Sequence, residues 1–276
     1  MEHDYIDALD TVSLEDLCSL ARIVSLESAA SPSYTLDTKG RFGQFFKKAD
    51  RFFSTMKLPV LSITKLFSND LDAVVGRVGY VNASDKTIVV PEGFTGQWLP
   101  YSAALLQAMS AATGMEAMIL TYNKTLGRLV NDPSALESAS GIGYAGPTTL
   151  GITEAMMAVG KEYFDGKSNN IHRTLGAVIE RGGDIKATMA NINDAIAKDK
   201  SSPASKSLTA IGRTMTLGET LMPYIEGNSK TTKASVEELI AVTLMLAKEM
   251  ESYGVLLFRI RQFSESLKDS VSAIKK

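Results

Sequence analysis

Apolar residues recur every three or four positions along most of this chain, and they rarely alternate. In "LEDLCSLARIV" the spacing of Leu14, Leu17, Leu20, Ala21 and Val24 predicts a short helix with Ser13 as its N-cap. Small and polar residues follow, and 28–40 reads as a linker. "RFGQFFKKADRFFSTMK" then sets Phe42, Phe45, Phe46, Ala49, Phe52, Phe53 and Met56 on one face, with Arg41, Lys47, Lys48, Arg51 and Lys57 largely off it. A basic helix with an aromatic face also suits a membrane surface or a nucleic acid. Such a face more often plugs a core, which is the reading adopted, with the basic side left to face DNA.

Pro59 closes this helix, and the apolar residues up to Gly76 follow no clean period, with Leu66 to Val75 leaning towards helix. In "RVGYVNASDKTIVVPEGF" two β-rich runs flank the turn-forming "NASD", so one hairpin is expected over 77–90. Helical spacing returns from Pro100 to about Val130, weakened by Gly114 and Gly127 and stopped before Pro133. "SGIGYAGPTTLGI" reads as a flexible interhelical loop, Thr153 to Phe164 as a helix, "DGKSNN" as a turn and Asp184 to Lys198 as another helix. In the segment that follows, Gly218 and Pro223 blur a helical pattern.

The last element is the clearest. Val236, Leu239, Thr243, Leu246, Met250, Tyr253, Leu257, Ile260, Ser264, Leu267, Val271 and Ile274 step by three and four residues, a heptad register that only Thr243 and Ser264 interrupt. Ser235 and Glu238 fit a capping box at its start. Val242, Leu244, Met245, Val255 and Leu256 widen the apolar face, so the first half is expected inside the domain. From Arg259 the stripe narrows, which fits packing on a neighbouring subunit or a frayed, surface-docked end. The expected fold class is mainly α: a helical bundle with one β-hairpin and a long C-terminal helix. Its organisation is an acidic leader over 1–27, the linker over 28–40, and a predominantly helical body over 41–276.

Composition adds little, since 276 residues at 45% hydrophobic and 22% charged can bury an ordinary core. Charge adds more. Residues 1–27 hold seven acidic residues against Arg22 alone, a net −6, which leaves 28 basic against 24 acidic, a net +4, in the rest. A solvated acidic helix accounts for such a leader, and the overall −2 argues against tight unaided nucleic-acid binding. Cys18 alone excludes an internal disulfide and is compatible with a reducing compartment. No apolar run approaches the roughly 20 residues that a bilayer needs, and "MEHDYIDALD" lacks a signal-like start, so neither a membrane partner nor export is expected.

No catalytic, metal or cofactor constellation stands out. His3 and His172 are the only histidines and lie far apart, without zinc spacing or a Cys–His pair. "GIGYAG" from Gly141 to Gly146 spells G-x-G-x-x-G, yet no strand leads into it and Pro147 follows, so a dinucleotide site is not expected. Walker, G-x-S-x-G and H-E-x-x-H motifs are absent. An enzyme is not expected, nor a cofactor.

"IVVPEGFTGQWLPYSAALLQAM" followed by "LTYNKTLGRLVNDPSAL" resembles the internal head (inner body) virion proteins of giant phiKZ-like tailed bacteriophages, over about residues 40–140. The matching residues are Pro91, Glu92 and Gly93 in a turn, Trp98, Leu99 and Tyr101 at a helix start, and Asn131 and Pro133 at a helix stop. The resemblance implies a non-enzymatic structural protein of the virion interior, present in host cytoplasm during assembly. Its implied partners are other head proteins, the maturation protease and packaged DNA, bound non-specifically. It also implies an N-terminal propeptide removed after a small-x-Glu tripeptide, which Ser25, Leu26 and Glu27 before Ser28 fit. Ser13-Leu14-Glu15, Ala135-Leu136-Glu137 and Ser235-Val236-Glu237 match as well, but lie in or beside expected elements, whereas Glu27 opens onto the linker. An acidic leader would then mask basic surface, the Arg41 to Lys57 face above all, until packaging. The alternative is a helical regulatory or assembly module that binds a protein partner through its C-terminal helix.

Overall fold

Helix dominates, as the period of the apolar positions requires. The computed structural model describes residues 12–30, 36–56, 58, 61, 73, 75–77, 79–201, 221, 223–225 and 231–275, apart from the side chains at 25–30, 36–39, 200, 201, 271, 272 and 275. The helices whose bounds lie among the described residues are α1 (Leu14–Ala30), α2 (Leu36–Thr55), α3 (Tyr80–Ser84), α4 (Trp98–Ala112), α5 (Met115–Asn131), α6 (Ile152–Tyr163), α7 (Leu175–Val178), α8 (Gly182–Ser201) and α9 (Lys233–Lys275). Two short strands, β1 (Thr87–Val89) and β2 (His172–Thr174), pair antiparallel. This is the expected class, mainly α with one two-stranded β-element and a long C-terminal helix. Most of the helix expected over 66–75 and most of the segment from Ser202 to Lys230 fall outside the described residues.

The β-element is built differently from the expected local hairpin. β1 does lie in the 77–90 region, but it pairs with β2, with Ile88 opposite Arg173. "YVNAS" is helical instead, and Asn82 and Ala83 both donate backbone N–H groups to Gly79. A tight hairpin turn needs residues with positive φ, and none of "NASD" has one. The turn "DGKSNN" forms as expected: Asp165 accepts from the N–H of Lys167, and Asn170 from that of His172.

Two compact units share the chain. The first takes residues 1–57, 114–149 and 203–251, and the second takes 58–113, 150–202 and 252–276. The helix expected from Pro100 to Val130 is two helices, broken at Thr113 and Gly114, and each belongs to a different unit. Gly114 is the poor helix former at the break and caps α5.

In the first unit α1 packs on α2, burying Leu17, Ala21 and Val24 from one helix and Phe42, Phe45, Phe46, Phe52 and Phe53 from the other. The aromatic face of α2 is therefore core. On α5, Met115, Met118, Ile119, Tyr122, Leu126 and Leu129 form the buried stripe, and the Tyr122 hydroxyl lies 2.9 Å from that of Thr243 on α9.

The second unit packs α4 against α6 and α8. Ser102 on α4 accepts from the Asn191 amide of α8 at 3.1 Å. Phe94, Trp98, Tyr101, Tyr163, Phe164 and Phe263 form a cluster of tilted and edge-to-face rings, with the Arg259 guanidinium 3.9 Å above the Phe164 ring. Gly93, at φ +70°, brings "PEGF" so close to the 165–168 turn that a Cβ would lie 2.7 Å from the Asp165 carbonyl oxygen. The distal end of α9 belongs to this core: Phe263, Leu267 and Ile274 are all buried within the chain, rather than frayed or left for a neighbouring subunit.

Candidate nucleic-acid interface

The α1–α2 pair carries the charge pattern that the sequence singles out. Ser13 caps α1 as expected: its hydroxyl accepts from the Asp16 N–H at 3.1 Å, while the Asp16 carboxylate accepts from the Ser13 hydroxyl and N–H at 2.8 and 3.0 Å. Those two bonds, and then the charge of Lys48 on α2, hold the Asp16 carboxyl below the usual carboxylate range. An acid of the leader thus feels a base of the candidate DNA-contact face.

On α2 the aromatic side is buried and Lys47, Lys48 and Arg51 are exposed, with Arg41 half-exposed. Lys47, Lys48, Asp50, Arg51 and Ser54 line an open depression of about 410 Å³, with three basic residues against one acid. Lys57 lies outside the described residues. The face is one helical stripe, and its surplus of positive charge is modest.

The processing segment sits differently from its reading as the start of a linker. Ser25, Leu26, Glu27 and Ser28 lie in the helical backbone of α1, which continues to Ala30, and α2 begins at Leu36. Their side chains are outside the described residues, as are residues 31–35. A protease takes extended chain, so a cut after Glu27 needs the last turns of α1 to open first.

The residues of the family resemblance fall where a turn, a helix start and a helix stop are expected. The Phe94 N–H closes a turn on Pro91, Trp98 and Tyr101 are buried in the first turn of α4, and α5 ends at Asn131 before the 3-10 turn Pro133–Glu137. Trp98–Asn131 is long and apolar enough to cross a membrane, against the expectation that no run is. The segment is broken at Thr113 and Gly114, and Trp98, Tyr101 and Leu105 are buried in one unit, Met118 and Leu126 in the other. His172 is exposed on β2, and His3 lies outside the described residues.

"GIGYAG" is an interhelical loop, as expected, and two side chains from outside it hold its backbone. Gly141 and Gly143 adopt φ values of +87° and +64°. The Ile142 and Tyr144 N–H groups that follow them donate to the two carboxylate oxygens of Glu238, at 2.6 and 3.0 Å. The Arg128 guanidinium holds the opposite side of the loop through the carbonyls of Ile142 and Gly143. Glu238 therefore serves this loop rather than a capping box. The cap of α9 is Thr232, whose hydroxyl accepts from the Ser235 N–H at 3.3 Å. The paired glycines were visible in the sequence, but their acid is 94 residues away from Tyr144.

Comparison with known proteins finds no family model, no curated protein and no solved structure that matches this chain.

Proposed function

We propose that this protein is a non-enzymatic structural component of a phage head interior. In this reading the acidic α1, seated on the aromatic side of α2, weakens the positive potential of its exposed basic side until the maturation protease cuts after Glu27, and α2 then contacts packaged DNA non-specifically. Other head proteins are its further partners. The observation that supports it most directly is the packing of the −6 leader's helix on the helix with the most concentrated basic face, close enough for the charge of Lys48 to help lower the Asp16 pKa. The resemblance over residues 40–140 gives the setting.

Mass spectrometry of purified particles tests the proposal. Mature particles are expected to hold a chain that begins at Ser28, and Glu27→Ala is expected to leave the full-length acidic form in them. Only chains that begin at residue 1 or 2 would remove the propeptide. Absence from particles would remove the head-protein reading altogether. In that case the assembly module is the reading that remains, and the exposure of Val255 and Phe258 on α9 favours it.

A further inference from the structure

The loop that holds Glu238 is a receptor in miniature. Two backbone N–H groups, two residues apart and turned the same way by the positive-φ glycines before them, chelate both oxygens of one carboxylate. Backbone nests of this kind bind anions because they supply converging donors without a side chain in the way. A Cβ at Gly141 would lie 2.0 Å from a Glu238 oxygen, so the cradle exists only because residue 141 has no side chain. Arg128 grips the loop by its carbonyls and brings a positive charge to it.

The flanks of the loop are fastened by groups other than Glu238. The Thr232 N–H donates to the Leu136 carbonyl at 3.0 Å, and the hydroxyls of Thr232 and Ser235 donate to the Ser138 carbonyl at 2.8 and 3.1 Å. At its other end the Thr149 hydroxyl donates to Glu249 on α9 at 2.7 Å. Without the Glu238 carboxylate, a loop still fastened on both flanks would leave its two donors converging on the place that it held.

We propose that the Gly141–Tyr144 loop is an oxyanion-binding site whose resident ligand, the Glu238 carboxylate, is exchangeable for an external carboxylate or phosphate. The inference stands apart from the phage reading, because it rests only on the geometry of the first unit. Glu238 is then an internal plug, and whatever draws it away uncovers a site for an acid.

The test uses the full chain with Glu238→Ala and follows hydrogen exchange at the Ile142 and Tyr144 amides. In chloride alone both are expected to exchange about tenfold faster than in the unchanged protein. Acetate or inorganic phosphate at the same ionic strength should restore protection in the variant and leave the unchanged protein unaffected. Recovery with acetate alone narrows the ligand class to carboxylates, and recovery with phosphate alone narrows it to phosphates; either supports the site. No recovery with either anion, or full protection in chloride alone, overturns it. Adding Gly141→Ala must abolish the recovery, and recovery that survives it overturns the nest. If Glu238→Ala is largely unfolded, the same anions must raise its folded fraction by circular dichroism where chloride does not, since a ligand of the native state favours it; no rise overturns the proposal.

Discussion

Tyr101 and Tyr122 each carry a hydroxyl into a core, with opposite outcomes. The Tyr122 hydroxyl meets Thr243, and burial pushes its pKa up to about 12 although that hydrogen bond opposes the shift. Burial also drives the Tyr101 pKa upwards against the nearby Arg259, but its hydroxyl has no hydrogen-bond partner among the described residues. A paired buried hydroxyl contributes about 1 kcal/mol, and an unpaired one costs at least as much. Tyr122→Phe is therefore expected to destabilise by about 1 kcal/mol in urea denaturation, and Tyr101→Phe to be neutral or stabilising by up to about 1 kcal/mol. Asp16 gives a pH prediction. Its pKa is depressed in the folded chain, so its contribution is complete above the unfolded value of about 3.9 and is lost as pH falls through the lower folded value. Protection of the α1 amides should fall below about pH 4, and Asp16→Asn should flatten that dependence. Ser13 was legible as a cap from its place just before the apolar run, whereas its reciprocal partner Asp16, three residues on, was not singled out. The Tyr122 pair was not, because Thr243 is 121 residues away and no local pattern links them.

The heptad register of α9 was legible down to its two polar interruptions, and both prove to be satisfied. Thr243 and Ser264 turn their hydroxyls onto the carbonyls of Leu239 and Ile260, each at 2.7 Å, so neither carries an unpaired group into the core. A repeat of three and four residues marks which face of a helix is apolar, but not whether its own chain or another one covers it. That is why the distal end was left open between a neighbouring subunit and a frayed tail, whereas Leu267 and Ile274 are buried in the second unit. Leu257→Asp and Ile274→Asp should consequently both lower stability by about 3 kcal/mol or more in thermal denaturation. A loss below about 0.5 kcal/mol at Ile274 would return that end to the surface. The same limit applies to β2. "HRT" is too short to carry an alternating pattern, so its pairing with β1 was beyond local reading, while "TIV" on the other side was not.

For the whole molecule, fold class and charge division were legible, because both are sums over many residues. The division into two units was not, since each unit gathers three separate stretches of chain and α9 contributes to both. The charge division leads to a measurement. A chain beginning at Ser28 should bind duplex DNA more tightly than the full chain, with a log–log salt slope of roughly −3 if Lys47, Lys48 and Arg51 each meet a phosphate. Lys47→Glu with Lys48→Glu should remove most of that slope, and an unchanged slope would place the contact elsewhere. The seat of α1 on α2 complicates any such switch. Severing the peptide bond after Glu27 leaves Leu17, Ala21 and Val24 where they were, buried. What changes is molecularity: a helix held at a millimolar effective concentration by its own chain becomes a separate ligand, subject to mass action. Burial of Leu17, Ala21 and Val24 contributes on the order of 4 kcal/mol, much of it offset by the cost of association, so the severed helix is a weak ligand. In a crowded, closed compartment the severed helix would largely stay seated, and on dilution it would leave, so the volume available to the protein, more than the cut itself, would decide when the exposed basic side of α2 loses its acidic neighbour.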